Sequence, residues 1–285
     1  MIAAKALIFP PSTFESGRAF QPEPDDVIIS PWSKSGTTWL QQIVHGLRSG
    51  GDMDFDDISR ISPWIEVADA LGLDLNADQG WRPRAFKSHF SYIDVPKGAR
   101  YIVSFREPRS VMISYYRFYE GWMFEPGSVT IEEYVAFHLN RERGKDYWTH
   151  IESWWRQRDA ANVLLLSYEV MKEDLRPTVA RVADFLEIDA DPSLIDLVTK
   201  QSSLQFMLEH GDRFNDLLHR ERATAVGALP PGAGASKVTA GVADPTRYQL
   251  SPQTLAAIDA NWAETMGASF GITSYDQVVE ALREA

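Results

Sequence analysis

The stretch Val27-Ile28-Ile29-Ser30-Pro31-Trp32-Ser33-Lys34-Ser35-Gly36-Thr37-Thr38-Trp39-Leu40 predicts a strand, a tight loop and the first turn of a helix. A loop in this position directs backbone N–H groups and the positive end of the helix dipole at one spot, which favours a bound phosphate. Gly36 allows the backbone to approach the anion closely, and Lys34 adds a positive charge. The hydroxyl donors of the loop are Ser35, Thr37 and Thr38.

Two other interpretations of this loop are open. The phosphate loop of nucleotide kinases has Lys directly after its last Gly, whereas here Thr37 follows Gly36 and Lys34 precedes it. An ordinary strand-to-helix turn with a Ser or Thr cap is also consistent with the pattern. The crowding of a Lys, a Gly and three hydroxyl residues at positions 34–38 favours an anion site over a simple turn.

Composition limits the classes of protein that remain. With 285 residues there is room for one large α/β domain with a full core, or for two small ones. A net charge of −12 opposes nonspecific nucleic-acid binding, which requires a basic surface. The absence of cysteine excludes disulfides, thiol catalysis and Cys-based zinc sites. No apolar run is long enough to cross a bilayer, and residues 1–9 make a poor signal peptide, so we expect a cytoplasmic protein without a membrane span.

The hexapeptide Lys34-Ser35-Gly36-Thr37-Thr38-Trp39 resembles the donor-binding loop of the sulfotransferases that use 3′-phosphoadenosine 5′-phosphosulfate (PAPS). The resemblance implies that these six residues bind the 5′-phosphosulfate end of the donor. The Tyr-Pro-Lys that usually begins the family's loop is replaced here by Trp32-Ser33-Lys34.

A second segment, residues 84–89, is predicted to be a short strand that ends at His89. Alternation in a strand places Lys87 and His89 on one face. An isolated His at a strand end is more often structural than catalytic. The family carries a Lys-x-His at this point of the chain, and the resemblance therefore implies that His89 is the general base and that Lys87 assists Lys34 in catalysis.

Further matches to the family extend along the chain. The pattern from Arg106 to Tyr116 is similar to the family's second signature, which implies that Arg106 and Ser114 bind the 3′-phosphate of the donor. By the same resemblance Tyr168 and Ser202 contact the adenine. Near residues 236–241 the family has a basic Arg-Lys-Gly; Gly241 matches its Gly, while Thr239 and Ala240 replace the basic pair. Lys237 or Arg247 is a candidate replacement for the lost charge.

The rest of the chain is less specific. Residues 1–26 are predicted to be irregular, and residues 221–247 form a long Ala/Gly/Pro-rich loop. The aromatic side chains between Gly121 and Gly127 could pack on the core or line an acceptor pocket, and the sequence favours neither. Three tryptophans are expected in the core: Trp148, Trp154 and Trp155.

The sequence therefore predicts an α/β fold with a mainly parallel sheet flanked by helices and a phosphate loop on the first strand. We expect a single domain over residues 1–285 with its core at about 26–267. The resemblance implies transfer of a sulfuryl group from PAPS to a small-molecule alcohol or phenol, releasing adenosine 3′,5′-bisphosphate (PAP), with no metal and no nucleic acid. The alternatives are a phosphate-loop kinase or NTPase, and a noncatalytic module that binds PAP.

Overall fold

The computed structural model describes residues 6–120, 122–125, 127–229, 236–239 and 245–284. Within these ranges, parallel strands form one sheet in the order β2-β1-β3-β4. The strands are β1 (Val27–Ile29), β2 (Ala85–Lys87), β3 (Arg100–Phe105) and β4 (Val163–Ser167). Ile29, the last residue of β1, lies level with Lys87 on one side and with Ile102 on the other. The segments that follow the strands therefore leave the same edge of the sheet.

Helices account for about half of the remaining described residues. In chain order they are α1 (Pro11–Ala19), α2 (Thr37–Ser49), α3 (Ile58–Ile61), α4 (Pro108–Glu120), α5 (Ile131–Leu139), α6 (Tyr147–Trp155), α7 (Tyr168–Glu173), α8 (Leu175–Phe185), α9 (Pro192–Gln201), α10 (Leu204–Glu209), α11 (Leu217–Ala225), α12 (Pro252–Trp262), α13 (Ala268–Phe270) and α14 (Tyr275–Glu284). Short 3₁₀ turns lie at Ile65–Val67, Asp69–Leu71, Gly211–Phe214 and Pro245–Tyr248, and a π-helical turn lies at Ala263–Gly267.

Successive strand residues point to opposite sides of the sheet, and helices cover both of its faces. One face, which includes Ile29 and Ile102, packs against α2, α8 and α9. The other face, which includes Ile28 and Val103, packs against α4, α6, α12 and α14. The three tryptophans assigned to the core, Trp148, Trp154 and Trp155, are all buried on this second face. The predicted fold class, a parallel sheet with helices on both faces, is confirmed.

The expectation of an irregular segment over residues 1–26 is wrong at α1. Pro11 stands in the first turn of this helix, where its fixed φ and missing N–H are tolerated. Gly17 lies so close to the 3₁₀ turn at residues 65–67 that a Cβ there would be 2.8 Å from the carbonyl oxygen of Ile65. Tertiary packing, rather than a local apolar pattern, therefore accounts for the helix.

Two predicted boundaries also differ from the structure. Strand β2 ends at Lys87; the backbone N–H of Ser88 still donates to the carbonyl oxygen of Ile29, and that of His89 donates to the Glu66 carboxylate. The alternation argument for His89 therefore fails, although both residues still line one cavity. The loop predicted over residues 221–247 begins after Ala225, because α11 buries Leu218 and Ala223.

Candidate active site

The loop between β1 and α2 has a backbone that few residues can adopt. Lys34 and Gly36 both have positive φ angles, of 70° and 102°. A Cβ at position 36 would lie 3.2 Å from the hydroxyl of Ser104 and 3.2 Å from the ring of Tyr168. Glycine is therefore required at position 36 both by the backbone angle and by the close approach of β3 and α7.

The start of α2 presents hydrogen-bond donors without acceptors. Its N-cap is Gly36, and no described side chain caps the first turn, so the Ser/Thr cap of an ordinary turn is not what the structure shows. The buried hydroxyls of Ser35 and Thr37 have no hydrogen-bond partner among the described residues. Buried donors of this kind need an acceptor. A group with several anionic oxygens, such as a phosphosulfate, fits this cradle.

Lys34 lies at the centre of the positive charge around the loop. Its Nζ is 4.4 Å from the centroid of the Phe118 ring. Burial, together with the positive charges of Lys237 and Arg106, lowers the pKa of Lys34 to about 7. An anion bound beside Lys34 would raise this pKa and favour the charged ammonium form.

His89 is held as a neutral imidazole. Its Nδ1 lies 2.8 Å from the carbonyl oxygen of Pro31, and because a carbonyl can only accept, the proton is assigned to Nδ1. Nε2 then carries the lone pair. Burial and the nearby Lys87 ammonium hold the pKa of His89 well below its usual 6.5. A neutral ring with a free lone pair in the cavity can accept a proton.

The residues assigned to the nucleotide gather on the β3 and β4 side of the loop. Arg106 donates to the carbonyl oxygen of Lys34 at 2.9 Å, and its guanidinium lies 4.3 Å from the centroid of the Tyr168 ring. The Trp39 ring is 5.6 Å from that of Tyr168, and its Nε1 donates to the carbonyl oxygen of Ser202 at 2.7 Å. Ser114, on α4, lines the same cavity.

Lys87 and Lys237 lie on the opposite side, next to β2. Lys87 Nζ is 3.2 Å from Oδ2 of Asp216 and 4.1 Å from the centroid of the Trp64 ring. Burial lowers the pKa of Lys87 to about 8, against the opposing effect of Asp216. Lys237 Nζ contacts the same carboxylate oxygen. Arg247, the other candidate for replacing the lost charge, instead pairs with Glu120 at 2.6 Å. Gly241 lies outside the described residues.

Two acidic residues of the site were not predicted from the sequence. Asp216 is buried between the two lysines, and although burial opposes its ionisation, Lys237 and Lys87 hold its pKa well below the usual 3.8. Glu66 accepts hydrogen bonds from the His89 backbone and the Ser88 hydroxyl, and burial raises its pKa to about 7. No motif marks either residue, since each acts on partners distant in sequence.

One cavity of about 1320 Å³ is lined by side chains from the loop and from both sides of it: Lys34, Thr37, Thr38, Glu66, Lys87, His89, Arg106, Asp216 and Lys237. The wall of this cavity combines charged side chains with aromatic ones, and the aromatic residues include Phe14, Trp32, Phe90, Phe118, Tyr119 and Trp122. The aromatic segment after α4 therefore contributes both to the cavity and to the core. Trp122 and Met123 line the cavity, whereas the Phe124 ring packs 5.8 Å from that of Tyr116.

A cluster of carboxylates outside the cavity, just before β1, is a second candidate site, for a cation. The carboxylates of Glu23, Asp25 and Asp26 lie close enough to share a metal ion. All three are already paired: Asp26 with Arg84 at 2.7 Å, and Glu23 and Asp25 with Arg82 at 2.7 and 4.0 Å. They precede β1, at the end of the strand opposite the loop.

Of the helices in the described ranges, none has the length and apolar character needed to span a membrane.

The chain matches a family model, the sulfotransferase domain, over residues 24–231. It is 34% identical to sulfotransferase 2A1 of Macaca fascicularis over 195 residues, which are 65% of this chain and 67% of that protein. It is 29% identical to sulfotransferase 1C2 of Rattus norvegicus over 205 residues, 68% of this chain and 69% of that protein.

Solved structures share the fold. The crystal structure of mouse sulfotransferase SULT7A1 complexed with PAP superposes with a TM-score of 0.69 at 20% identity, over 97% of this chain and 95% of that one. Retinol dehydratase in complex with androsterone and inactive cofactor PAP superposes with a TM-score of 0.67 at 17% identity, over 92% and 94%.

Proposed function

The chain belongs to the sulfotransferase family, and from that premise we propose that it transfers a sulfuryl group from PAPS to a hydroxyl of a small-molecule alcohol or phenol. The observation that carries this proposal is the neutral His89 placed in one cavity with the cationic loop at residues 30–36. A base next to an anion cradle is the arrangement that nucleophilic attack on a bound sulfuryl donor requires. We also propose that residues 1–285 act as one domain.

The donor is proposed to lie across the loop. Its 5′-phosphosulfate would meet the unpaired Ser35 and Thr37 hydroxyls, the Thr38 hydroxyl and the N–H groups at the start of α2. Arg106 and Ser114 would bind the 3′-phosphate. The adenine would contact the aromatic pair formed by Trp39 and Tyr168, next to Ser202.

When bound, the donor supplies the electrophilic sulfur and a phosphate leaving group. His89 Nε2 accepts the hydroxyl proton of the acceptor as that oxygen attacks. Lys34, Lys87 and the N–H groups of the loop stabilise the negative charge that develops on the oxygen between sulfur and the leaving phosphate. The aromatic wall excludes water and orients the acceptor. A retinol dehydratase of the same fold has been crystallised with androsterone, which supports an acceptor of small-molecule size.

The noncatalytic alternative rests on the loss of the basic pair at residues 239–240. A module that only binds the nucleotide would not need a general base, so the presence of His89 argues against this alternative. The kinase alternative requires Lys directly after the glycine of the loop, and here that position holds Thr37.

The proposal is tested by calorimetric titration with PAP and with AMP, which lacks the 3′-phosphate. PAP should bind at least tenfold more tightly, since a charge-assisted hydrogen bond contributes about 1.5–3 kcal/mol. Arg106→Ala should abolish most of that preference. The matched control is Arg109→Ala, because Arg109 lies three residues further on, in the first turn of α4, but pairs with Asp259 at 2.7 Å. Equal affinities for PAP and AMP in the wild type would refute the donor assignment.

A further inference from the structure

One buried carboxylate joins two lysines that are far apart in the sequence. Oδ2 of Asp216 lies 3.2 Å from Lys87 Nζ, contacts Lys237 Nζ and is 3.5 Å from Nδ1 of His219. The Asp216 side chain is 7% exposed and that of Lys87 is 3% exposed. Oδ1 of Asp216 is buried and has no hydrogen-bond partner within the part of the chain that the structure describes. All four side chains line the cavity that contains Lys34 and His89.

The segment that carries Lys237 is anchored to the body of the protein. The backbone N–H of Lys237 donates to Oδ1 of Asn215 at 3.3 Å. The next residue, Val238, packs against a cluster that includes Phe55 and Phe214. Lys237 therefore reaches Asp216 from a fixed position, and the contact does not depend on the ion pair alone.

The sheet order decides which end of the donor Lys237 can meet. Strand β2, which places Lys87, lies on one side of β1, and β3 and β4, which lead to Arg106 and Tyr168, lie on the other. The phosphate loop emerges from β1 between them. Since Asp216 ties Lys237 to Lys87, Lys237 stands on the side away from Arg106. The 3′-phosphate role expected for Lys237 from the sequence does not suit this position.

We propose that Lys237 binds the sulfuryl end of the donor, beside Lys34 and Lys87, and that Asp216 is the residue that positions it. This inference rests on the proposed function. In the transfer the bond between sulfur and the bridging phosphate oxygen breaks, and a bond between sulfur and the acceptor oxygen forms. The acceptor proton passes to His89 Nε2, and the electron pair of the broken bond stays on the phosphate oxygen of PAP. Three ammonium groups face that charge, with Asp216 holding two of them in place.

The test compares the dissociation constants of PAPS, PAP and AMP, and it needs no knowledge of the acceptor. The ratio of PAP to AMP affinity reports the 3′-phosphate, and the ratio of PAPS to PAP affinity reports the sulfuryl group. Lys237→Ala should lower the PAPS to PAP ratio about tenfold, as expected for the loss of one charged contact, and leave the PAP to AMP ratio within about twofold. The contrasting variant is Arg106→Ala, which should lower only the PAP to AMP ratio.

Asp216 is tested through its dependence on Lys237. Asp216→Asn should lower the PAPS to PAP ratio in the wild-type background and lower it by clearly less in Lys237→Ala, because Lys87 is then the one lysine of the pair that Asp216 still holds. Asp216→Glu, which keeps the charge, should restore part of the ratio. Thermal denaturation of each variant reports whether it is folded.

The outcomes separate this inference from the function on which it rests. If the wild type does not prefer PAP to AMP, the donor assignment fails and the inference fails with it. If the wild type shows the preference and Lys237→Ala lowers the PAP to AMP ratio, Lys237 serves the 3′-phosphate and only the inference is overturned. An unchanged PAPS to PAP ratio in Lys237→Ala, or additive losses in the double variant with Asp216→Asn, would also overturn it.

Discussion

Binding of PAP should draw protons onto Lys34 and Lys87. Burial and neighbouring cations lower the pKa of Lys34 to about 7, and burial lowers that of Lys87 to about 8. At pH 8 these groups are then about one-tenth and about one-half protonated. An anion bound beside them raises both pKa values, so full protonation of the two would take up about 1.4 protons.

The uptake follows from calorimetric titrations of PAP at pH 8 in two buffers of different ionisation enthalpy, such as HEPES and Tris. The nucleotide itself contributes little, because the second pKa of a phosphate monoester is about 6. By linkage the affinity should fall about 25-fold per pH unit near pH 8. Lys34→Met should remove about 0.9 of a proton from the uptake. The control is Lys200→Met, an exposed lysine at the end of α9. Tight binding with identical enthalpies in both buffers would refute the reasoning that lysines with lowered pKa values take up protons when the nucleotide binds.

Three further predictions concern single residues. His89→Ala should lower the rate of single-turnover transfer by about 10²–10⁴-fold without weakening PAP binding. In the wild type the transfer rate should fall on the acid side only below pH 6.5, because burial and Lys87 depress the pKa of His89. A fall that begins above pH 6.5 would contradict the role of His89. Glu66→Gln should remove a pH dependence of stability, because the pKa of Glu66 is about 7 in the folded protein and near 4.5 in the unfolded chain. The protonated Glu66 favours the native state below pH 4.5, and about 3 kcal/mol of the free energy of unfolding is lost as the pH rises through 7. Denaturant titrations of both proteins at pH 4.5 and 7.5 would show or exclude this difference. Gly36→Ala should cost about 1–3 kcal/mol of stability and most of the PAP affinity. The control is Gly50→Ala, because Gly50 also has a positive φ but a Cβ added there would have no atom within 4 Å. An equal loss of PAP affinity in the control would argue against an anion site at the loop.

The features that the sequence could predict are local ones. The buried strands read as short apolar runs, and the phosphate loop is a continuous segment whose glycine, lysine and hydroxyls all act where they stand. The resemblance added residues that follow strands, such as Arg106 and Tyr168, because parallel strands deliver their carboxyl ends to one edge.

What could not be predicted depends on distant contacts. Asp216 is 129 residues from Lys87 and 21 from Lys237, so no spacing rule connects them. The role first expected for Lys237 followed from its place in the sequence, whereas its side of the loop follows from the order of the strands. Helix α1 was missed for the same reason, since the close approach of Gly17 to residues 65–66 exists only in the folded chain.

Helix α1 has a consequence for how this protein can diversify. Phe14 and Arg18 of this helix form part of the cavity wall, yet the shared family segment begins only at residue 24. One wall of the cavity is thus built from a stretch that precedes the segment matched by the family model. Substitutions in that stretch can remodel the chamber while the cradle at residues 30–36 keeps its geometry. Substitutions in this helix, natural or designed, can therefore change which molecules fit the cavity and leave the donor-binding loop unchanged.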